Sequence, residues 1–133
     1  MAKELRIIIA GTRTFSDYSR VERTVPKIIE ALIKMYPNRT VSIITGAANG
    51  ADKLGSRYAK EHHIPIREFP ADWKAHGKAA GPIRNQEMLD FAIKETPALI
   101  VFWDGKSRGT KNMMEIAKKA GVKVAIVRYK EPV

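Results

Sequence analysis

Ala98-Leu99-Ile100-Val101-Phe102-Trp103 runs straight into Asp104-Gly105-Lys106-Ser107-Arg108-Gly109-Thr110, an apolar run closed by a glycine-bearing turn. The same grammar occurs twice upstream. Leu5 to Ala10 precedes Gly11-Thr12-Arg13, and Val41 to Ile44 precedes Thr45-Gly46-Ala47-Ala48-Asn49-Gly50-Ala51-Asp52. Apolar runs with little alternation read as strands covered on both faces, the habit of parallel sheets. If the three runs share one such sheet, all three turns meet at its carboxyl edge. Open α/β sheets bind ligands there, where helix N-termini and bare amides cradle phosphate.

Working outward, strand and helix patterns alternate along the whole chain. Strands are expected at 5–10, 41–45, 64–69, 98–103 and 122–127. The third reads as an edge strand with Pro65 at its start. Helices are expected at about 17–36, 50–63, 81–94 and 110–121. In the first, Val21, Val25, Ile28 and Leu32 line one face, and Ser19 and Glu22 have capping-box spacing. Pro26 removes a hydrogen bond there, which predicts a kink or two short helices. Asn49 and Thr110 are candidate caps of the second and fourth helices; Leu54, Ile93 and Ala120 are placed on the apolar sides of the second, third and fourth helices respectively. Gly121 is a candidate C′ residue. The longest irregular stretch, 70–80, is long for a compact domain, and such loops are usually functional or mobile. The pattern gives one α/β domain over 1–133, with a five-stranded, mainly parallel sheet.

Composition narrows the function classes. At 133 residues and 44% hydrophobic, the chain supports a real core rather than disorder. There are no cysteines, which excludes disulfides and thiolate metal sites. No run approaches a membrane span, and 5–10 is too short for a signal-peptide core. A cytoplasmic protein is the expectation. The net charge of +10 favours anionic partners, but the 24 Lys and Arg never run more than two together, and acids are interleaved. That dispersal suits a solvated surface better than a dedicated nucleic-acid groove.

Several constellations carry chemistry, each beside a plainer reading. Gly11-Thr12-Arg13 brings backbone close to a ligand and offers a guanidinium fork, or is only a turn with a surface arginine. Gly46 and Gly50 bracket small residues at a helix start, leaving exposed amides. Asp52 then accepts from a ribose or base, or complements the helix dipole. Asp104-Gly105-Lys106-Ser107 is not a P-loop, because Ile100 stands where the earlier glycine is required; Gly109-Thr110 remains a phosphate seat. Asp72 and Trp73 lead the irregular loop, where Trp73 stacks on a base, closes as a lid, or plugs a sheet edge. Arg84 and Asn85 fall in the first turn of the third helix and aim back toward the carboxyl edge. His62, His63 and His76 find no carboxylate at a metal spacing, so neither a metal nor a cofactor is expected. No Gly-x-Ser-x-Gly occurs.

Together Ile-Ala-Gly-Thr-Arg (9–13), Thr-Gly-Ala-Ala-Asn-Gly-Ala-Asp (45–52), Phe-Pro-Ala-Asp-Trp (69–73), Ala-Gly-Pro-Ile-Arg-Asn (80–85) and Trp-Asp-Gly-Lys-Ser-Arg-Gly-Thr (103–110) resemble the YspA-like branch of the SLOG superfamily. The likeness spans 5–127. It implies a Rossmann-like three-layer domain that binds nucleotides or nucleotide-derived ligands. Relatives of that superfamily include LOG-type phosphoribohydrolases, the DNA-processing protein DprA and ligand-sensing domains of conflict systems. By the resemblance, Gly11, Thr12 and Arg13 form the first ligand loop, Gly46, Gly50, Ala51 and Asp52 the second, Arg84 and Asn85 a helix-borne pair, and Gly109 and Thr110 the last phosphate loop. LOG hydrolases carry Pro-Gly-Gly-x-Gly-Thr-x-x-Glu at that loop. Here Met113 takes the glutamate position, and Glu115 lies about 200° around a helix. Related domains often dimerise, so a homodimer is an option.

Three readings follow. The first is a module that binds a small nucleotide-like ligand as a sensor or sequestering protein. The second is an N-glycosidic hydrolase of nucleoside phosphates, with Asp52 or Glu87 as the candidate carboxylate. The third, drawing on the charge, is single-stranded nucleic-acid binding, which lacks clustered aromatics.

Overall fold

The computed structural model of the protein describes residues 3–130. Five strands alternate with helices: β1 (Glu4–Gly11), α1 (Tyr18–Met35), β2 (Thr40–Thr45), α2 (Ala51–Glu61), β3 (Ile66–Glu68), α3 (Trp73–His76), α4 (Ala80–Ala92), β4 (Thr96–Trp103), α5 (Arg108–Lys119) and β5 (Lys123–Arg128). A 3₁₀ turn, Gly77–Ala79, joins α3 to α4. The sheet order is β3-β2-β1-β4-β5, and every pairing is parallel. The chain leaves β1 toward one edge and returns through β4 toward the other. The point of reversal therefore lies between β1 and β4, where doubly wound sheets open a crevice.

Successive residues of β1 face opposite sides, and each side has its own helix pair. Leu5, Ile7 and Ile9 pack with Val21, Val25, Ile29 and Leu32 of α1 and with Ala51, Tyr58 and Ala59 of α2. Ile8 and Ala10 pack with Met88, Leu89 and Ala92 of α4 and with Met113, Met114 and Ala117 of α5. This three-layer, Rossmann-like arrangement explains the apolar stretches 7–10 of β1 and 98–103 of β4, with Arg6 and Thr96 only at the strand starts. β5 departs from that pattern. It is an edge strand that buries none of its residues, and its Ile126 is 40% exposed.

Local details differ from the sequence expectations in instructive ways. α1 is one helix through Pro26, which is exposed, as is Glu22, so the carbonyl that loses its amide partner meets water. Its cap is Asp17, which accepts from the Arg20 amide at 3.0 Å, while the Ser19 hydroxyl donates to Asp17. The inward residue is Ile29, with Ile28 only half-buried. Gly50, not Asn49, precedes α2, and Ser107, not Thr110, caps α5. Leu54 is half-buried, while Ile93 and Ala120 are exposed. Gly121 is the C′ residue at φ +77°, with the Val122 amide bonded back to the Ala117 carbonyl at 3.0 Å. The irregular loop contains α3, capped by Asp72, which accepts from the Ala75 amide at 3.0 Å. No described helix is long and apolar enough to cross a membrane.

Candidate functional site

Thr12 joins the loops at the reversal point. Its amide donates to the Phe102 carbonyl at 2.9 Å, its carbonyl accepts from the Ala51 amide at 3.2 Å, and its hydroxyl accepts from the Asp104 amide at 3.2 Å. The ends of β1 and β4 and the start of α2 thus share one buried residue. Gly50 lies directly beneath. At φ +84° it occupies backbone space that L side chains avoid, and a Cβ there would strike the Thr12 carbonyl and the Arg13 backbone.

The loop after β4 is held open by its own polar groups. Asp104 accepts from the amides of Lys106 and Ser107 at 2.8 and 2.9 Å. These bonds hold its carboxyl below the usual carboxylate range. The Trp103 indole donates to the Ser107 carbonyl at 3.1 Å. Ser107 then caps α5 through the Thr110 amide, leaving the amides of Arg108 and Gly109 with no acceptor inside the helix. A Cβ built on Gly109 meets nothing within 4 Å. No packing against the described residues outside its own helix requires a glycine at that position.

Around these loops is a cavity of about 630 Å³. It is lined by Gly11, Thr12 and Arg13, by Asp52, by Trp73 and Lys78, by Arg84 and Asn85, and by the 106–110 loop with Asn112 and Met113. Nine of the residues expected from sequence line it: Gly11, Thr12, Arg13, Asp52, Trp73, Arg84, Asn85, Gly109 and Thr110. The others lie outside its lining. Gly46 and Gly50 shape the backbone behind it, Ala51 is buried under Gly11, Asp72 caps α3, and Glu87 is exposed on α4. Sequence reasoning passed over Lys78, Arg108 and Asn112 as site residues. Lys78 sits in an apparently irregular loop, and the other two flank the Gly109-Thr110 pair that drew attention.

Arg84 does not stand free in the cavity as a phosphate fork. It is buried, its Nη1 donates to the Gly46 carbonyl at 2.7 Å, and Nη1 lies 3.9 Å from Asp52 Oδ2. The Gly46 amide donates to the same carboxylate oxygen at 3.1 Å. Only a glycine fits at 46, because a Cβ would fall onto the guanidinium. Burial raises Asp52 from 3.8 to about 6, opposed by Arg84 and by the amides of Ala48, Gly46 and Gly11. Burial also lowers Arg84, opposed by Asp52. Both charges sit in a poorly solvated floor and depend on each other.

This predicts a pH dependence. A carboxyl whose folded pKa is raised contributes stability that is complete below its unfolded value and is lost as pH rises through the folded one. For Asp52 that window runs from 3.8 to about 6. Denaturant midpoints of wild type and Asp52→Asn should therefore diverge in favour of wild type as pH falls through this window. A difference that is flat with pH, or shrinks on acidification, contradicts the assignment.

Trp73 is 48% exposed, with the Arg13 guanidinium 5.1 Å from its ring centroid. It has not been drawn into the core, so the edge-plug reading of this residue is not the one the geometry favours. No group of three or more His, Asp or Glu among the described residues is arranged to hold a metal ion.

An all-parallel, doubly wound sheet with its cavity at the β1/β4 reversal defines a Rossmann-like domain. The chain belongs to the YspA, cpYpsA-related SLOG family, YAcAr, whose model matches residues 5–76. That match takes in the first two glycine loops and Trp73 and ends before Arg84 and Gly109. The chain is also similar to the Gene 61 protein of Mycobacterium phage D29, at 32% identity over 124 residues, covering 90% of this chain and 93% of that protein. No solved structure matches it.

Proposed function

We propose that the protein binds a nucleotide or nucleotide-derived phosphate ligand in this cavity, as a sensor or sequestering module. The observation that carries the reading is Gly109. It lines the cavity at the amide-bearing start of α5, between Arg108 and the capped Thr110, and no packing contact among the described residues outside its own helix explains its missing side chain. A helix start with free amides favours an anion, and Arg13, Lys78, Lys106 and Arg108 line the same cavity. Its volume falls in the range usual for small-molecule sites. Membership of a SLOG family supports nucleotide-related chemistry over other phosphates.

Calorimetry with nucleoside monophosphates, dinucleotides and ADP-ribose tests this directly, and binding of none of them removes the reading. Trp73 supplies a sharper check. If it stacks on the base, Trp73→Ala weakens base-bearing ligands by about 1–3 kcal/mol and leaves ribose 5-phosphate unchanged. Equal loss for both classes would place the base elsewhere.

A second reading, cleavage of an N-glycosidic bond, is favoured by one observation. Asp52 is a cavity-lining carboxyl with its pKa raised to about 6, a value suited to proton transfer. Against it, Asp52 is engaged by Gly46 and Arg84, and Met113 at the last loop carries no charge. Chromatographic detection of free base after incubation separates the two. Base release by wild type that is lost in Asp52→Asn would install catalysis in place of binding alone.

A further inference from the structure

Three side chains in the wall between α4 and α5 form a relay whose donor direction is fixed at one end. Arg84 Nε can only donate, and it donates to Asn85 Oδ1 at 3.1 Å. That assigns the Asn85 amide: its oxygen faces Arg84 and its Nδ2 faces α5. The other side of the residue agrees, because Nδ2 donates to the Gly109 carbonyl at 3.2 Å, and a carbonyl can only accept. Nδ2 also donates to Asn112 Oδ1 at 3.0 Å. The orientation of Asn112 is therefore assigned in turn. Its oxygen is taken by Asn85, and its Nδ2 has no acceptor among the described residues. Asn112 is partly exposed and lines the cavity one turn into α5.

We infer that Asn112 Nδ2 is a specificity-determining donor of the cavity, reading a hydrogen-bond acceptor on the bound ligand, and that Arg84 and Asn85 are positioning residues that keep it a donor. The inference rests on the nucleotide-binding reading. It also reassigns two residues that the sequence marks as ligand-binding. Arg84 is anchored at its far end by the Gly46 carbonyl and Asp52, so it cannot turn to release Asn85. Asn85 spends both ends of its amide on protein partners. Asn112, one residue from the position where LOG hydrolases carry a glutamate, is the member of the relay with a polar group to spare. An amide that donates rejects a ligand offering only a donor at that point, because two N–H groups would then face each other. The acceptor it selects is a base ring nitrogen or carbonyl, or an oxygen of the sugar phosphate.

Two variants separate this role from a structural one. Asn112→Asp still accepts from Asn85 Nδ2 but has no donor to offer. Asn112→Ala offers neither. Both retain the bond from Asn85 to Gly109, so thermal midpoints near wild type are expected. Calorimetry with AMP, GMP, ADP-ribose and ribose 5-phosphate should show the ligands that carry the acceptor weakened about ten- to a hundredfold by both variants. Loss confined to the base-bearing ligands puts the acceptor on the base; loss that includes ribose 5-phosphate puts it on the sugar phosphate. Wild-type affinity in Asn112→Ala overturns the inference while the binding reading stands. Failure of wild type to bind any of the four overturns both. Without ligand, side-chain amide exchange by NMR should show Asn85 protected and Asn112 fast, and Asn85→Asp should shift the Asn112 amide signals. Protection of the Asn112 amide in the free protein would mean that its donor is already used, which also overturns the inference.

Discussion

Gly109→Val is expected to weaken nucleotide binding by about ten- to a hundredfold, the 1–3 kcal/mol that overpacking a filled site typically costs, while leaving the fold as stable as wild type. The two halves of this result come from different physics. Apart from its chain neighbours and the backbone of its own helix, a Cβ at 109 meets no atom of the described residues within 4 Å, so no packed side chain there is displaced. Valine is also a better helix residue than glycine by a few tenths of a kcal/mol on ordinary propensity scales, so the melting temperature should hold or rise slightly. Gly109 lines the cavity at the first turn of α5, and a ligand using the free amides of Arg108 and Gly109 must come close to this residue. Calorimetry beside a thermal melt makes the measurement. Unchanged affinity would show that the ligand does not approach α5, and would remove the observation on which the proposed function rests. Gly46 is the control. Its Cβ would fall on the Arg84 guanidinium, so Gly46→Ala should lower stability, whether or not any ligand binds.

Arg84→Met is expected to cost about 3–5 kcal/mol of stability at neutral pH, the usual consequence of leaving one partner of a buried ion pair alone. Methionine roughly fills the volume but donates nothing. Asp52 would keep its amide donors and lose the cation beside it, with both side chains of the pair less than a tenth exposed. Its pKa should then climb further above the present value of about 6. The deficit should accordingly shrink as pH falls and Asp52 takes up a proton. Urea denaturation at two pH values, with the Arg84→Met/Asp52→Asn double variant, checks the coupling. Substantial recovery in the double variant is the expected result. A single variant as stable as wild type would mean that the pair holds nothing together.

Much of the fold was legible because its central strands are covered on both faces. Burial on two sides leaves little room for polar residues, so apart from Arg6 and Thr96 near their starts β1 and β4 appear in sequence as runs that hardly alternate. Glycine turns at their ends mark where backbone must pass close to backbone. The edge strand β5 was legible only as an apolar stretch, since exposure of one side is compatible with many patterns. Caps were misplaced because several short polar residues cluster at each helix start. Asp17, rather than Ser19, reaches the Arg20 amide, and only backbone geometry chooses between them.

The site divides in the same way. Gly11, Arg13, Asp52, Trp73, Gly109 and Thr110 were marked by residue type and by position after a strand, and the structure puts them around one cavity. What sequence could not convey was which of the marked residues already have partners. An arginine in the first turn of a helix looks free to meet a phosphate. Here the fold brings the Gly46 carbonyl and the Asp52 carboxylate against it, and its charge is spent inside the protein. Asn112 had the opposite fate, an ordinary helix residue in sequence that lines the cavity with an amide whose Nδ2 has no acceptor among the described residues. The succession of strands and helices along the chain and the glycine turns follow from local pattern, because hydrophobic periodicity and backbone sterics act between neighbours in the chain, whereas the order of the strands in the sheet is tertiary. The state of each polar group follows from tertiary structure alone. Hydrogen bonds and ion pairs in a buried site join residues far apart in sequence, and desolvation sets their strength only once the helices have closed over them.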